Sequence, residues 1–346
     1  MSTTRLQEVL ICFGFGKQTD IATANLVATM WRLRKLNAQL ANPRLNTEND
    51  AAEYGKGHEF VTETFKTSWD AGGTLEKYLS AEMAAWAMCF GLGKVVKSGS
   101  AGNWIYTCTP LIPSAGDATE LPYFSFVEQI RPGANLVIDR LLPGCAIEGW
   151  TISLGSGPGR ANSKITVEFA GSGKLTEPSA ITMPAATVEK LLPSASMALT
   201  INGVDYVTSK NIVSLETSWK NNIRMDAGFY PGSNFQTSND ATTGAIRGRL
   251  EFGNRVGMLK FLARFDKDSL ELTKLKAQTT GTAVLALTYD TNNSLSITWQ
   301  KVAFATAEVG ETDSIVTVAV DCTPMYHATN GIITAVAKCN VDAICA

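Results

Sequence analysis

Histidine is almost missing. His58 and His327 are the two in 346 residues, and they stand in different halves of the chain. That scarcity argues against a metal centre built on imidazole. Charge is scarce too, at 18% of residues, and the two signs nearly cancel to leave −2. No basic field is visible with which a specific nucleic-acid binder would meet phosphate. The chain has no CxxC, and its cysteines are odd in number: Cys12, Cys89, Cys108, Cys145, Cys322, Cys339 and Cys345. This pattern argues against a zinc knuckle or a disulfide scaffold and predicts reduced, mostly buried thiols. No apolar run reaches membrane-spanning length, and the first residues lack a signal-peptide pattern. Synthesis and assembly in a cytoplasm are the expectation.

Catalytic motifs are missing as well. Gly14-Phe15-Gly16 has no third glycine at the right spacing and no βαβ unit around it. Ser153-Leu154-Gly155-Ser156-Gly157 lacks the strand-to-helix context of a nucleophile elbow. The paired acids Glu59/Glu63 and Glu48/Asp50 stand in strand or loop sequence, where such pairs are ordinary surface. The chain reads as a non-enzyme with no catalytic residue, no metal and no cofactor.

What is present is strand pattern. In residues 145–173, Ile165, Val167 and Phe169 alternate with Lys164, Thr166 and Glu168. Before them, Trp150, Ile152 and Leu154 alternate with Thr151 and Ser153. Period-two alternation predicts a hairpin with one face in a core and one in water. A second hairpin of the same kind is expected over 299–322, where Val316, Val318 and Val320 alternate with Thr317, Ala319 and Asp321.

The rest of each half follows a similar order. Val61 and Phe65 alternate with Thr62, Thr64 and Lys66, Asp70-Ala71-Gly72-Gly73 reads as a turn, and 74–79 as a returning strand. Ser80 suits an N-cap, Glu82 the first helical turn, and 81–90 a helix ending at Gly91. Its Met83, Trp86 and Phe90 form a core stripe. Strands are expected over 104–109, 121–130 and 136–142. In the second half, 212–219 is a strand. Ile246, Leu250 and Phe252 alternate with Arg247, Arg249 and Glu251, a turn at 254–257 leads to a strand over 258–265, and a helix runs from about 267 to 278. Strands over 284–289 and 295–299 then precede the hairpin. Each half reads as hairpin, helix, strands and long hairpin.

The division expected is an N-terminal arm (1–54), a first β domain (55–175), an inserted arm or linker (176–210) and a second β domain (211–346). Trp31, Leu33 and Leu36 lie in a basic-apolar patch that is either a solvated face or an arm against a neighbour. Leu191, Leu192 and Met197 also call for burial. These six are candidates for inter-subunit contact.

Three stretches carry a family resemblance: Gly14-Phe15-Gly16-Lys17-Gln18-Thr19-Asp20-Ile21-Ala22-Thr23-Ala24, the strand-turn-helix over 65–91 with its Gly-Gly-Thr-Leu-Glu, and Pro143-Gly144-Cys145-Ala146-Ile147-Glu148-Gly149-Trp150-Thr151-Ile152. In that order they resemble the tail tube protein of a long-tailed, non-contractile bacteriophage. The resemblance implies a mainly β fold of tandem β-sandwich or barrel units, each flanked by one helix. It also implies a structural subunit whose rings, of three or six chains, stack into a hollow tube in the virion tail. Its partners would be copies of itself and the tape measure, tail terminator and distal tail proteins. DNA would pass through without specific binding, and no membrane would be involved. A virion decoration or adhesin-like β protein is the alternative. If the hairpins of all chains close one barrel, its lumen is lined in the first half by Thr62, Thr64, Lys66, Thr151, Ser153, Lys164, Thr166 and Glu168. In the second half Arg247, Arg249, Glu251, Thr317 and Asp321 line it. The other assignment for this set is an outer solvent face.

Overall fold

The computed structural model describes residues 8–14, 16–21, 24, 30–32, 37–39, 44–49, 64–131, 138–155, 163–172, 175–177, 181–182, 189–207, 212–224, 248–265, 271–312, 315–342 and 344–345. The fold is mainly β. The first half holds β1 (Glu8–Gly14), β2 (Met30–Arg32), β3 (Asn37–Gln39), β4 (Arg44–Asn49) and β5 (Thr64–Tyr78). Helix α1 (Ala81–Leu92) follows, then β6 (Gly93–Ser100), β7 (Asn103–Pro110), β8 (Phe124–Arg131), β9 (Ile138–Gly155) and β10 (Lys164–Gly171). After β11 (Ala198–Ile201) and β12 (Val204–Asp205) come β13 (Ile212–Lys220), β14 (Val256–Arg264) and a short helix α2 (Glu271–Lys276). The chain continues through β15 (Thr280–Asp290), β16 (Asn293–Thr312), β17 (Ile315–Pro324) and β18 (Ile333–Cys339).

Both expected hairpins form. β9 and β10 pair with Thr151 opposite Thr166 and Trp150 opposite Val167. Trp150, Ile152, Leu154, Ile165, Val167 and Phe169 are all buried, as the alternation requires. β16 and β17 pair from Val302 and Pro324 out to Thr312 and Ile315.

The pairing order repeats. In the first half the antiparallel neighbours run β3, β5, β10, β9. In the second they run β13, β14, β17, β16. In each set the strand that precedes the helix pairs with the second arm of the long hairpin. The two sets are joined edge to edge, because β9 also pairs with β13, placing Trp150 opposite Trp219. A second seam joins the halves where β7 pairs with β18.

Helix α1 sits where these sheets meet. It packs on β6, β7, β9, β16 and β18, and all twelve of its residues are buried. An amphipathic stripe is not needed by a helix covered all round, and its Ala/Met-rich sequence suits that setting. The helix therefore lies inside the core, where a single inward stripe and a flanking position were expected. Ser80 caps it as expected, accepting a hydrogen bond from the Met83 N–H at 3.1 Å. Gly93 closes it, two residues after the expected Gly91, with its N–H bonded to the Cys89 carbonyl.

Three further expectations change. The stretch 70–73 is no turn, since β5 runs straight through it. Gly72 serves close packing: a Cβ there would stand 2.9 Å from the Phe169 carbonyl oxygen on β10. The strands expected over 136–142 and in the hairpin's first arm are one strand, β9, that changes partners from β8 to β10 just after Pro143-Gly144, between Cys145 and Ala146. Gly144 has φ +64, and a Cβ there would meet the Ile21 carbonyl oxygen at 2.3 Å. Finally, the N-terminal segment is not only an arm. β1 pairs with β8 within the chain, and the Gly14 carbonyl accepts a hydrogen bond from Trp86 Nε1 on α1 at 3.0 Å. Removing residues 1–45 would take away β1, β2 and β3, and with them the pairings to β8 and β5.

Candidate functional site

Cross-strand register builds one continuous polar row over six strands of the two sets. Lys164 on β10 faces Ser153 on β9, Ser153 faces Glu216 on β13, and Glu216 faces Lys260 on β14. Lys260 faces Asp321 on β17, and Asp321 faces Thr306 on β16. A parallel row runs Glu76, Thr166, Thr151 and Ser218. These side chains share a face because residues directly opposite on neighbouring strands point the same way.

The charges on this face offset each other. Lys164 Nζ lies 3.1 Å from Glu76 Oε1, Lys220 Nζ lies 3.6 Å from Glu168 Oε2, and Lys260 Nζ lies 3.7 Å from Asp321 Oδ1. With Glu216, that makes three lysines against four carboxylates. All three pairs are substantially exposed, so each is screened and worth little to stability. Glu148, at the margin of this face, is held above the usual carboxylate range, first by its partial burial and then by the neighbouring Glu168, with Lys220 opposing. The face can present alternating, self-neutralised charge and hydroxyls to a passing polyanion. It offers no cluster of donors for gripping one.

Of the residues singled out from sequence, Thr151, Ser153, Lys164, Thr166, Glu168 and Asp321 come together here. Thr317 does not line an open surface. It shares their strand parity but is 3% exposed and already engaged within the protein. Arg249 and Glu251 lie elsewhere: Arg249 Nε is 3.2 Å from Glu120 Oε1, and Glu251 bridges to Glu120. Their segment does not form the strand expected there, and local alternation could not reveal its contact with the first half. Thr62 and Arg247 fall outside the described residues, as do the side chains of Thr64 and Lys66. Sequence reading missed Glu76, Glu216, Lys220, Lys260 and Thr306. Alternation marks Glu216 and Lys260 as outward on β13 and β14, but their place in this row depends on the β9–β13 junction.

Among the inter-subunit candidates, Leu192 is fully buried in this chain's own core, so no side-chain surface remains for a partner. Its backbone N–H bonds the Leu79 carbonyl at 2.9 Å, pinning this segment beside α1. Met197 packs partly buried against the same core, and Leu191 is half-buried. The side chain of Trp31, and Leu33 and Leu36 entirely, lie outside the described residues.

Among the described residues no group of three or more His, Cys, Asp or Glu is arranged to hold a metal, and no helix is long and apolar enough to cross a membrane. No family model matches the chain, and no curated protein matches its sequence.

Proposed function

We propose that this chain is a structural subunit that associates edge to edge with copies of itself, closing rings that stack into a hollow tube through which DNA passes. The tail tube proteins of long-tailed, non-contractile phages are the class this reading draws on. One observation carries it: the repeated strand order and the edge left open at its end. Within the chain, β9 of the first set pairs with β13 of the second. Its counterpart in the second set is β16, whose outer edge beyond Ala303 has no second partner among the described residues. The counterpart of β13 is β3, paired on one side only among the described residues. The internal junction is thus a pattern for joining β16 of one copy to β3 of the next. Such a head-to-tail contact closes a ring or grows without end, and either way covers an edge that would otherwise invite mispairing. With two sets per chain, three chains supply the six sets of a ring.

In such a ring the polar rows described above form a continuous band, and we assign that band to the bore. A nearly neutral, hydroxyl-rich wall lets DNA slide, because affinity for DNA comes mainly from unpaired cations that release its counterions. Lysine at both Thr151 and Thr166 would place two new cations opposite each other. Each adds attraction on the order of 1 kcal/mol or less at physiological salt. The expected outcome is normal rings with slowed DNA passage, more so at low salt, read by timed ejection from reconstituted particles. Unchanged passage at low salt, with intact assembly, contradicts the bore assignment.

A further inference from the structure

Cys89 and Cys108 lie side by side in the core with their sulfurs 3.4 Å apart. Cys89 belongs to the last turns of α1. Cys108 belongs to β7, where its backbone pairs with Val95 of β6 on one side and Ala335 of β18 on the other. Both side chains are fully buried. Of the other described thiols, Cys345 packs partly buried on the same core and is the nearest rival partner. Cys145 contacts the Leu142 carbonyl oxygen, Cys339 contacts the Val341 carbonyl oxygen, and Cys322 lies far along the sheet on β17. No described cysteine is in a disulfide.

We propose that Cys89 and Cys108 are a latent disulfide site, closed by a two-electron oxidant of the peroxide class, that fastens α1 to the β7–β18 seam joining the two halves. A disulfide needs its sulfurs about 2.05 Å apart. At 3.4 Å the sulfurs are in van der Waals contact, so forming the bond asks them to approach by roughly 1.3 Å. One thiol attacks a peroxide oxygen, giving a sulfenic acid and one water. The second thiol displaces the hydroxyl from that sulfur, giving the S–S bond and a second water. The two sulfurs lose two electrons in all, and the peroxide takes them up with both thiol protons.

Burial sets the pace. It pushes the Cys89 thiol well above its ordinary value, and the neighbouring Cys108 adds to the effect, so little thiolate is present and the pair stays reduced unless oxidant persists. The C-terminal segment is tied to the strand that carries Cys108. Tyr106 on β7 donates its hydroxyl to the Val341 and Asp342 carbonyl oxygens, at 2.7 and 2.6 Å, holding that segment near both cysteines.

The test uses the full chain under native conditions. Purified reduced protein is treated with hydrogen peroxide, quenched, denatured in an alkylating reagent and digested with trypsin. Cys89 and Cys108 fall in separate tryptic peptides, 78–94 and 98–140. The expected product is these two peptides joined, lighter by two hydrogens and separated again by dithiothreitol. Tyr106→Phe, which loosens the C-terminal cover, should form it about fivefold faster, the weight of one hydrogen bond. Recovery of both cysteines as alkylated thiols, as separate sulfinic acids, or joined to Cys339 or Cys345 overturns the proposal. So does a linked peptide that forms only after denaturation.

Discussion

Asn221 shows how single side chains hold the two halves in register. It is fully buried, and both ends of its amide are used. Its Oδ1 accepts from Trp219 Nε1 at 2.9 Å, while its Nδ2 donates to the Gly91 carbonyl at 2.8 Å and the Ile147 carbonyl at 3.0 Å. One residue just past β13 thus ties the second half to α1 and to β9. Asn221→Leu keeps the branched shape of the side chain but strands two carbonyls and the indole N–H. It should cost about 2–4 kcal/mol, since buried polar groups left without partners lose their solvation uncompensated. Urea denaturation measures it, and a loss under about 0.5 kcal/mol, the scale of an ordinary surface change, would remove this residue from the account. Glu82 is the second residue of note. Burial holds its carboxyl above the usual range, against backbone hydrogen bonds that pull the other way, with Glu189 adding to the rise and Lys77 opposing it. Lys77 Nζ pairs with Glu189 Oε2 at 2.5 Å. A raised folded-state pKa means the fold prefers the protonated form. The stabilisation is full below the ordinary carboxylate value and is lost as pH climbs through the folded one. Glu82→Gln keeps an acceptor for the Lys190 N–H and removes the titration. The variant should gain stability relative to wild type as pH rises from 5 toward 8, by thermal unfolding in matched buffers. A constant difference across that range contradicts the assignment.

At the scale of elements, what periodicity could reveal depended on whether a contact was local. Alternation located β9 and β10 and the faces of their hairpin, because a half-buried strand writes its period into the residues themselves. Ser80 announced the start of α1 for the same reason. On β17 alternation failed locally, where Val316 is exposed and Thr317 buried. The misreadings all involve packing between distant segments. Gly72 and Gly73 look like a turn, yet β5 runs through them, and at Gly72 a Cβ would crowd β10. The strands expected before and after Pro143-Gly144 are one, β9, which changes partners just past it. Leu192 looks like a residue awaiting a partner, and its partner is the chain's own core. Helix α1 was read as having one inward stripe, because wall-to-wall burial is a property of what surrounds it. That burial has a consequence. Ala85→Leu should cost about 1–3 kcal/mol by overpacking, as would enlargement on any other face of this helix. A helix flanking the sheets would accept leucine on its outer side at no cost, so a neutral result in chemical denaturation would contradict the central placement.

For the whole molecule, the repeated order of four strands matters more than either half alone. Period-two alternation pointed to a mainly β chain, and the fold is mainly β. The candidate polar face was legible in part: Thr151, Ser153, Lys164, Thr166 and Glu168 were visible as one side of a hairpin. Their continuation through Glu216, Lys260, Asp321 and Thr306 was hidden, because which strand neighbours which is fixed by long-range pairing and not by the local period. The most direct test of self-assembly through a repeated junction is a strand-resolving cryo-microscopy map of the assembled full-length protein. The expected map shows three chains per ring. The outer edge of β16 over residues 304–312 pairs with β3 of the adjacent chain, and Thr166, Ser153 and Lys260 face the bore. A map in which that edge stays open, or in which those residues face outward, would contradict it.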